Sequence, residues 1–102
     1  MWNRVATKQV TVVNPQGLHA RPADAFARLA NQFASMIEVV KEGQRANGKS
    51  ILDLLMLAAE EGTVLKIEAR GEDADDAIEA LVHLMEQVIS YDESLKSSPN
   101  KK

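Results

Sequence analysis

The chain has 102 residues, a net charge of −3 and no cysteine, which excludes a disulfide framework and thiolate chemistry. Sequence-independent nucleic-acid binding needs clustered Lys and Arg and stacking aromatics, and this acidic chain with only 4% aromatic residues offers neither. The longest apolar run, 54–59, is too short to span a bilayer. We therefore expect one cytoplasmic domain over residues 1–90, without metal or cofactor, followed by a polar tail over 91–102.

The first elements in chain order are a strand and a helix. The β-rich run 5–13 predicts a strand, and Asn14-Pro15-Gln16-Gly17 has the composition of a turn. Apolar residues at spacings of three and four then predict a helix over 20–33. Its expected buried stripe is Ala23, Phe26, Ala27, Ala30 and Phe33.

A hairpin and a second helix are predicted next. Residues 36–41 are β-rich, and the turn Glu42-Gly43 joins them to a short returning strand over 44–47. An apolar segment over 51–59 follows and ends near Gly62, which is typical of a helix C-terminus.

The last elements are a strand over 63–69 and a helix over 74–89, with Asp73 as a candidate N-cap. The expected buried stripe of this helix is Ile78, Leu81, Val82, Met85 and Ile89. The order is therefore β-α-β-β-α-β-α, with short strands and a tight turn between the middle pair. This order predicts an α+β fold, an open-faced β-sandwich in which a four-stranded antiparallel sheet carries three helices on one face.

The most informative segment is 17–22, Gly-Leu-His-Ala-Arg-Pro, which places a histidine where the first strand gives way to the first helix. A helix N-terminus presents N–H groups and the positive end of the helix dipole, which favour an added negative charge. A neutral imidazole is a nucleophile, so His19 could accept a phosphoryl group there while Arg21 holds its oxygens with a planar fork of donors. Gly17 permits the backbone path, and Pro22 stiffens the first turn. On these residues alone, an ordinary helix cap or surface histidine explains the segment equally well.

Ser50 is the predicted N-cap of the second helix. The sequence Ser50-Ile51-Leu52-Asp53 has the form of a capping box, in which the hydroxyl accepts one helix N–H and the carboxylate returns to the amide of the cap residue. Phosphorylation of this hydroxyl would add roughly two negative charges at the helix start. Such a charge would change docking by a partner that carries carboxylates.

The apolar residues of the second helix divide into two faces. The residues expected to point inward are Leu54, Leu57 and Ala58. The residues left exposed, and therefore candidates for a docking surface, are Ile51, Leu52 and Leu55. The cations expected to surround that surface are Arg21, Arg28 and Lys49.

These motifs resemble the HPr family, the small histidine phosphocarriers of the bacterial phosphoenolpyruvate-dependent phosphotransferase system. The resemblance rests on residues 17–23, on Lys49-Ser50-Ile51 and on Gly62-Thr63, and it extends over most of the chain. It implies a four-stranded antiparallel sheet covered by three helices, in agreement with the predicted order of elements.

The resemblance also implies roles for individual residues. His19 would be phosphorylated on Nδ1 by Enzyme I and would pass the phosphoryl group to a IIA component, with Arg21 stabilising it. Arg28 and the three exposed apolar residues of the second helix match partner contacts, and Ser50 matches the serine that HPr kinase/phosphorylase modifies. The protein implied is a monomeric carrier, not an enzyme, that binds neither nucleic acid nor a membrane.

Two other interpretations stay open. A regulatory protein of the same fold, for example in a nitrogen-related branch of the phosphotransferase system, would act through its phosphorylation state and pass on little phosphate. An unrelated split-βαβ ligand-binding domain would use His19 only as a cap. Asp53 departs from the family pattern, because it places a negative charge close to Ser50 and to the expected docking surface.

Overall fold

The structure, a computed structural model, describes residues 4–88. Four strands are present: β1 (Val5–Thr11), β2 (Met36–Lys41), β3 (Gln44–Asn47) and β4 (Val64–Arg70). Three helices alternate with them: α1 (Ala20–Ala30), α2 (Ile51–Met56) and α3 (Ala74–His83), and the last is continued by a π-helical turn (Leu84–Val88). The strands pair antiparallel in the order β1-β4-β2-β3. The predicted fold class and order of elements are confirmed.

The hydrophobic core lies between one face of the sheet and the helices. The alternation along β4 shows how the sequence selects that face, because Leu65, Ile67 and Ala69 are buried while the residues between them are half-buried on the other face. Each fully buried large apolar side chain contributes about 1.5–3 kcal/mol. The predicted stripe of α1 is buried through Ala30, whereas Phe33 is half-buried in the turn beyond the helix.

Some predicted boundaries are wrong by a few residues. The first strand ends at Thr11 and α1 ends at Ala30, three residues early, because the Asn31 side chain turns back on the helix. Its amide nitrogen donates to the carbonyl oxygen of Ala27 at 2.8 Å and to that of Lys49 at 3.0 Å. The end of α1 is therefore tied to the loop that precedes α2.

The end of α2 and the last helix also differ from prediction. Regular helix ends at Met56, and Ala58, predicted to face inward, is exposed because the chain reverses there with φ +52°. Ala59 is buried beyond that reversal. The predicted helix end at residue 89 and the predicted tail over 91–102 lie outside the described residues. Within residues 4–88, no helix has the length and apolar character needed to cross a bilayer.

The start of α3 is joined to the loop before β2. Asp73 occupies the predicted N-cap position, but its side chain makes no cap hydrogen bond. Its carboxylate instead accepts hydrogen bonds from the amides of Ala34 (2.8 Å) and Ser35 (2.9 Å) and from the Ser35 hydroxyl. These bonds, that of the hydroxyl first, lower the pKa of Asp73 below its ordinary value.

The open face of the sheet carries an ion-pair network. The Arg45 guanidinium contacts Glu38 at 2.7 Å and Glu68 at 2.9 Å, and the Lys66 ammonium lies 3.0 Å from Glu68. Hydrogen bonds from Arg45 and then from Lys66 lower the pKa of Glu68. This network lies across β2, β3 and β4, on the side of the sheet away from the helices.

Candidate functional site

His19 is the N-cap of α1. Its backbone is extended, with φ −89° and ψ −166°, and its carbonyl accepts the first helical hydrogen bond, from Ala23 at 3.0 Å. The side chain is half-buried and makes no cap hydrogen bond. The imidazole therefore stands at the helix start that the sequence predicts without serving as the helix cap.

The loop before His19 is held by the segment that follows α2. The Leu18 amide donates to the carbonyl oxygen of Ala59 at 2.8 Å, and the Leu18 side chain is buried. Gly17 has φ +72°, and a Cβ there would lie 2.5 Å from the same Ala59 oxygen, so this position requires glycine. The Gly17 amide also closes a turn onto the carbonyl of Asn14 at 2.9 Å. Backbone hydrogen bonds to Ala59 and to Asn14 therefore fix the loop that precedes His19.

The first turn of α1 is suited to an anion. It contains no acidic residue, so the residues of this turn place no carboxylate of their own at the positive end of the helix dipole. Pro22 is buried at a position where helix geometry provides no acceptor, so its missing N–H costs no hydrogen bond. Arg21 is exposed beside it. The arrangement can hold a phosphoryl group on the His19 imidazole through a guanidinium and the helix N-terminus.

Arg28 lies in the last turn of α1 and is paired within the helix. Its Nε lies 2.9 and 3.1 Å from the two carboxylate oxygens of Asp24, four residues earlier. The guanidinium nevertheless keeps 78% of its side-chain exposure, and exposed pairs at this spacing are worth only about 0.3–0.5 kcal/mol. A carboxylate on a docking protein can therefore compete with Asp24, a residue that the sequence analysis did not consider.

Ser50 begins α2 as predicted, but the capping box differs from the expected one. The Ser50 hydroxyl accepts a hydrogen bond from the Asp53 amide at 3.1 Å. The Asp53 carboxylate does not return to Ser50 and accepts instead from the amide of Asn47 at 3.2 Å. The reason is that the Ser50 amide is already engaged, because it donates to the Asn47 carbonyl at 3.1 Å.

The exposed face of α2 is apolar. Ile51 and Leu52 are 38% and 68% exposed, whereas Leu55, expected to be exposed, is half-buried against the core. Met56, which the sequence analysis left out, is 67% exposed, and its spacing of four from Leu52 places it on the same face. We call these four residues the apolar α2 surface.

Lys49 lies directly before the apolar α2 surface, and its ammonium group is bound to a backbone carbonyl of this chain. The side chain is half-buried, and its ammonium donates to the carbonyl oxygen of Phe33 at 2.7 Å, beyond the end of α1. The Lys49 amide is bound as well, to the Asn47 side chain at 2.9 Å. Lys49 therefore links the loop before α2 to the loop after α1.

Comparison with known proteins identifies the family. The family model described as "PTS HPr component phosphorylation site" matches residues 6–87. The chain is 45% identical over 82 residues to the phosphocarrier protein HPr of Lysinibacillus sphaericus, which covers 80% of this chain and 93% of that protein. It is also 41% identical over 80 residues to the HPr-like protein Crh of Halalkalibacterium halodurans, covering 78% of this chain and 95% of that protein.

Solved structures agree with this family match. The crystal structure of a phosphocarrier protein HPr from Bacillus anthracis superimposes with a TM-score of 0.77 at 38% identity, covering 82% of this chain and 100% of that chain. These matches exclude the interpretation of an unrelated split-βαβ ligand-binding domain. The chain belongs to the HPr family of phosphotransferase-system proteins.

Proposed function

We propose that this protein is a phosphocarrier that receives a phosphoryl group from phospho-Enzyme I on His19 and delivers it to IIA components of the sugar phosphotransferase system. One observation carries the proposal. The imidazole stands at the N-cap of α1 without capping the helix, above a first turn that contains no carboxylate. The His19 side chain is therefore not needed to cap its helix, and the helix dipole favours the charge that phosphorylation adds.

In the transfer, the Nδ1 lone pair of His19 forms a bond to phosphorus as the bond between phosphorus and the donor breaks. In a second displacement the IIA nucleophile forms a bond to phosphorus as the bond between phosphorus and Nδ1 breaks, so the carrier ends each cycle unchanged and catalyses no reaction by itself. Arg21 and the helix N-terminus bind the equatorial phosphoryl oxygens. No metal or cofactor takes part on the carrier in this scheme.

The apolar α2 surface is the proposed docking site for both Enzyme I and the IIA proteins. Burying its exposed apolar side chains favours association through the hydrophobic effect, with only the surplus over the entropic cost of docking appearing as affinity, and Arg21 and Arg28 add charge at its edge. Lys49 contributes to docking by holding the loop before α2 in place, since its ammonium is bound to the carbonyl of Phe33. We propose that the carrier works as a cytoplasmic monomer and binds neither nucleic acid nor a membrane.

Ser50 is the proposed regulatory position, modified by an HPr kinase/phosphorylase. Its hydroxyl already accepts the Asp53 amide at 3.1 Å, so a phosphoryl group there would keep an N–H partner at the helix start. The same group would add negative charge beside the Asp53 carboxylate and next to the apolar α2 surface. Partners that approach with carboxylates would then dock less well.

A regulatory HPr-like protein is the second candidate function. The 41% identity to a protein named Crh favours it as the alternative. Such a protein, in a nitrogen-related branch for example, would control a partner by its phosphorylation state without feeding sugar uptake. The two candidates differ in whether the phosphoryl group moves on to a IIA protein.

The test uses Enzyme I and labelled phosphoenolpyruvate. We expect base-stable, acid-labile label on the native protein and none on a His19→Ala variant. Ser50→Asn is the matched control and should still accept label. Addition of a IIA protein should then discharge the carrier within one mixing time. Label that persists on His19 in the presence of IIA proteins supports the regulatory candidate, and label on the His19→Ala variant contradicts both.

Regulation at Ser50 is tested in the same assay. A Ser50→Asp variant should accept label at least about tenfold more slowly than Ser50→Asn, because it places a charge where phosphoserine would be. Equal rates for these two variants would contradict the inhibitory role of Ser50 while leaving the role of His19 intact.

A further inference from the structure

The C-terminus of α2 is closed by a lysine from the neighbouring hairpin. Lys41, the last residue of β2, is half-buried, and its Nζ donates to the carbonyl oxygens of Leu57 at 2.8 Å and Ala58 at 3.3 Å. Gln44, across the hairpin turn, donates to the carbonyl of Met56 at 3.4 Å. Carbonyl groups at a helix C-terminus lack intrahelical donors and carry the negative end of the helix dipole. An ammonium group here supplies the missing donors and also compensates the negative charge.

Ala58 shows why this closure matters. It follows the C-cap residue Leu57 and has φ +52°, in the left-handed region that helices commonly enter at this position through glycine. A residue with a Cβ is disfavoured there. The local sequence therefore does not favour the chain reversal by itself, and the bonds from Lys41 to the two carbonyls at the reversal supply part of what glycine would otherwise provide.

The chain reversal at Ala58 determines the position of the Ala59 carbonyl group. That carbonyl group binds the loop that carries His19. The Ala59 oxygen accepts the Leu18 amide at 2.8 Å, and Leu18 is the residue directly before His19. The same oxygen approaches Gly17 so closely that no Cβ fits between them. A shift of the Ala59 carbonyl must therefore move the backbone of Leu18 and His19.

We propose that Lys41 is a positioning residue for phosphoryl transfer, which holds the Ala58–Ala59 reversal and, through the Ala59–Leu18 hydrogen bond, the orientation of His19. The proposal rests on the proposed role of His19 as phosphoryl acceptor. It assigns to Lys41 an effect on the chemical step rather than on docking. Its ammonium binds backbone carbonyls beyond the apolar α2 surface, those of Leu57 and Ala58, while the Met56 carbonyl is held by Gln44.

The test compares three variants. Lys41→Met keeps the apolar stem and removes the charge and the donors, and Lys41→Arg restores both. Lys66→Met is the matched control, because Lys66 also lies in a strand and is engaged, but with Glu68 on the open face of the sheet. Hydrogen exchange of the Leu18 amide is measured against that of Ile67, a fully buried residue of the central strand β4.

We expect Lys41→Met to accelerate exchange at Leu18 by roughly tenfold relative to Ile67, with Lys41→Arg recovering most of the protection and Lys66→Met causing no selective change. With phospho-Enzyme I as donor, the kcat for phosphorylation of Lys41→Met should fall by about three- to tenfold, while the KM for the carrier changes by less than about twofold.

An unchanged kcat for phosphorylation of Lys41→Met would overturn the proposal, and so would either of two results of the exchange measurement. One is parallel acceleration at Leu18 and Ile67, which reports general loss of stability and not local positioning. The other is unchanged exchange at Leu18 in Lys41→Met. If the native protein accepts no phosphoryl group from Enzyme I, the proposed function fails, but the exchange measurement still decides whether Lys41 holds the His19 loop.

Discussion

The starts of α1 and α2 are built on the same local plan and use it differently. Each N-cap, His19 or Ser50, follows a glycine by two residues. The Ser50 hydroxyl caps its helix by accepting the Asp53 amide, whereas the His19 side chain makes no cap hydrogen bond. The second helix start is thus stabilised by its own side chain. At the first, the N-cap side chain does not cap its helix, and the backbone before it is held from elsewhere in the fold.

Gly17 and Gly48, the glycines before the two N-caps, differ in what surrounds them. A Cβ on Gly17, at φ +72°, would meet the backbone oxygen of Ala59 at 2.5 Å. A Cβ on Gly48 would meet a side-chain methyl of Ile37 at 2.6 Å. Neither neighbour moves freely, because the Ala59 oxygen is held by a hydrogen bond and the Ile37 methyl is attached at Cβ of a buried side chain. Of the two glycines, Gly17 alone also has a positive φ. The loop before His19 is therefore the less tolerant of the two.

The largest expected effect comes from substituting these glycines. Gly17→Ala should lower the free energy of unfolding by about 3 kcal/mol, because the positive φ and the backbone clash add. Gly48→Ala should cost about 1–2 kcal/mol by displacing Ile37. Gly43→Ala is the control, since Gly43 has φ +85° with open space around it, and it should cost about 1 kcal/mol from the backbone alone. Urea denaturation measures all three, and equal losses for Gly17→Ala and Gly43→Ala would contradict the contact with Ala59.

The sequence predicts those features of the two helix starts that depend on residues close to them in the chain. The turn residues after the first strand and the spacing of Ala23, Phe26 and Ala27 place His19 at a helix start, and β-rich and alternating runs predict the strands in their chain order. Ser50 followed by Asp53 likewise predicts a cap. Each of these signals lies within a few residues of the feature that it predicts.

The parts that the sequence could not supply depend on contacts with residues outside the helix concerned. Asp53 binds the Asn47 amide rather than Ser50 because the loop turn has already engaged the Ser50 N–H. Lys49, predicted to face a partner, binds the Phe33 carbonyl sixteen positions away. Ala58 was assigned to the wrong face because its left-handed backbone is held by contacts from β2, which no helical periodicity could reveal.

The start of α3 shows a third arrangement of an N-cap residue, different from those of His19 and Ser50. Asp73 is an N-cap whose carboxylate supports another loop, through the amides of Ala34 and Ser35. Its pKa is lowered in the folded state, so its contribution to stability is present above the ordinary value of 3.8 and is lost as the pH falls below it. Asp73→Asn should therefore cost about 1–2 kcal/mol at neutral pH, toward the lower end because solvent reaches the carboxylate.

The measurement is the free energy of unfolding of Asp73→Asn and the native protein from neutral pH to below pH 3.8, the ordinary value for this group. The difference between the two proteins should shrink on acidification, because protonated Asp73 resembles asparagine. Asp76→Asn, in the exposed first turn of the same helix, should change stability by at most about 0.5 kcal/mol. A pH-independent difference for Asp73→Asn would show that its carboxylate charge does not hold the loop.

The smallest expected effects test the comparison of the two N-caps directly. Ser50→Ala should lower the free energy of unfolding by about 1 kcal/mol, since it removes the acceptor for the Asp53 amide. His19→Ser should raise it by roughly 0.5 kcal/mol, because serine is a preferred N-cap and the extended backbone of His19 suits it. Thermal and urea unfolding of the two variants and of His19→Ala, which offers no cap acceptor, separate the cap effect from loss of the imidazole. If His19→Ser is no more stable than His19→Ala, the start of α1 gains nothing from a cap, and the histidine is retained there at no cost in stability.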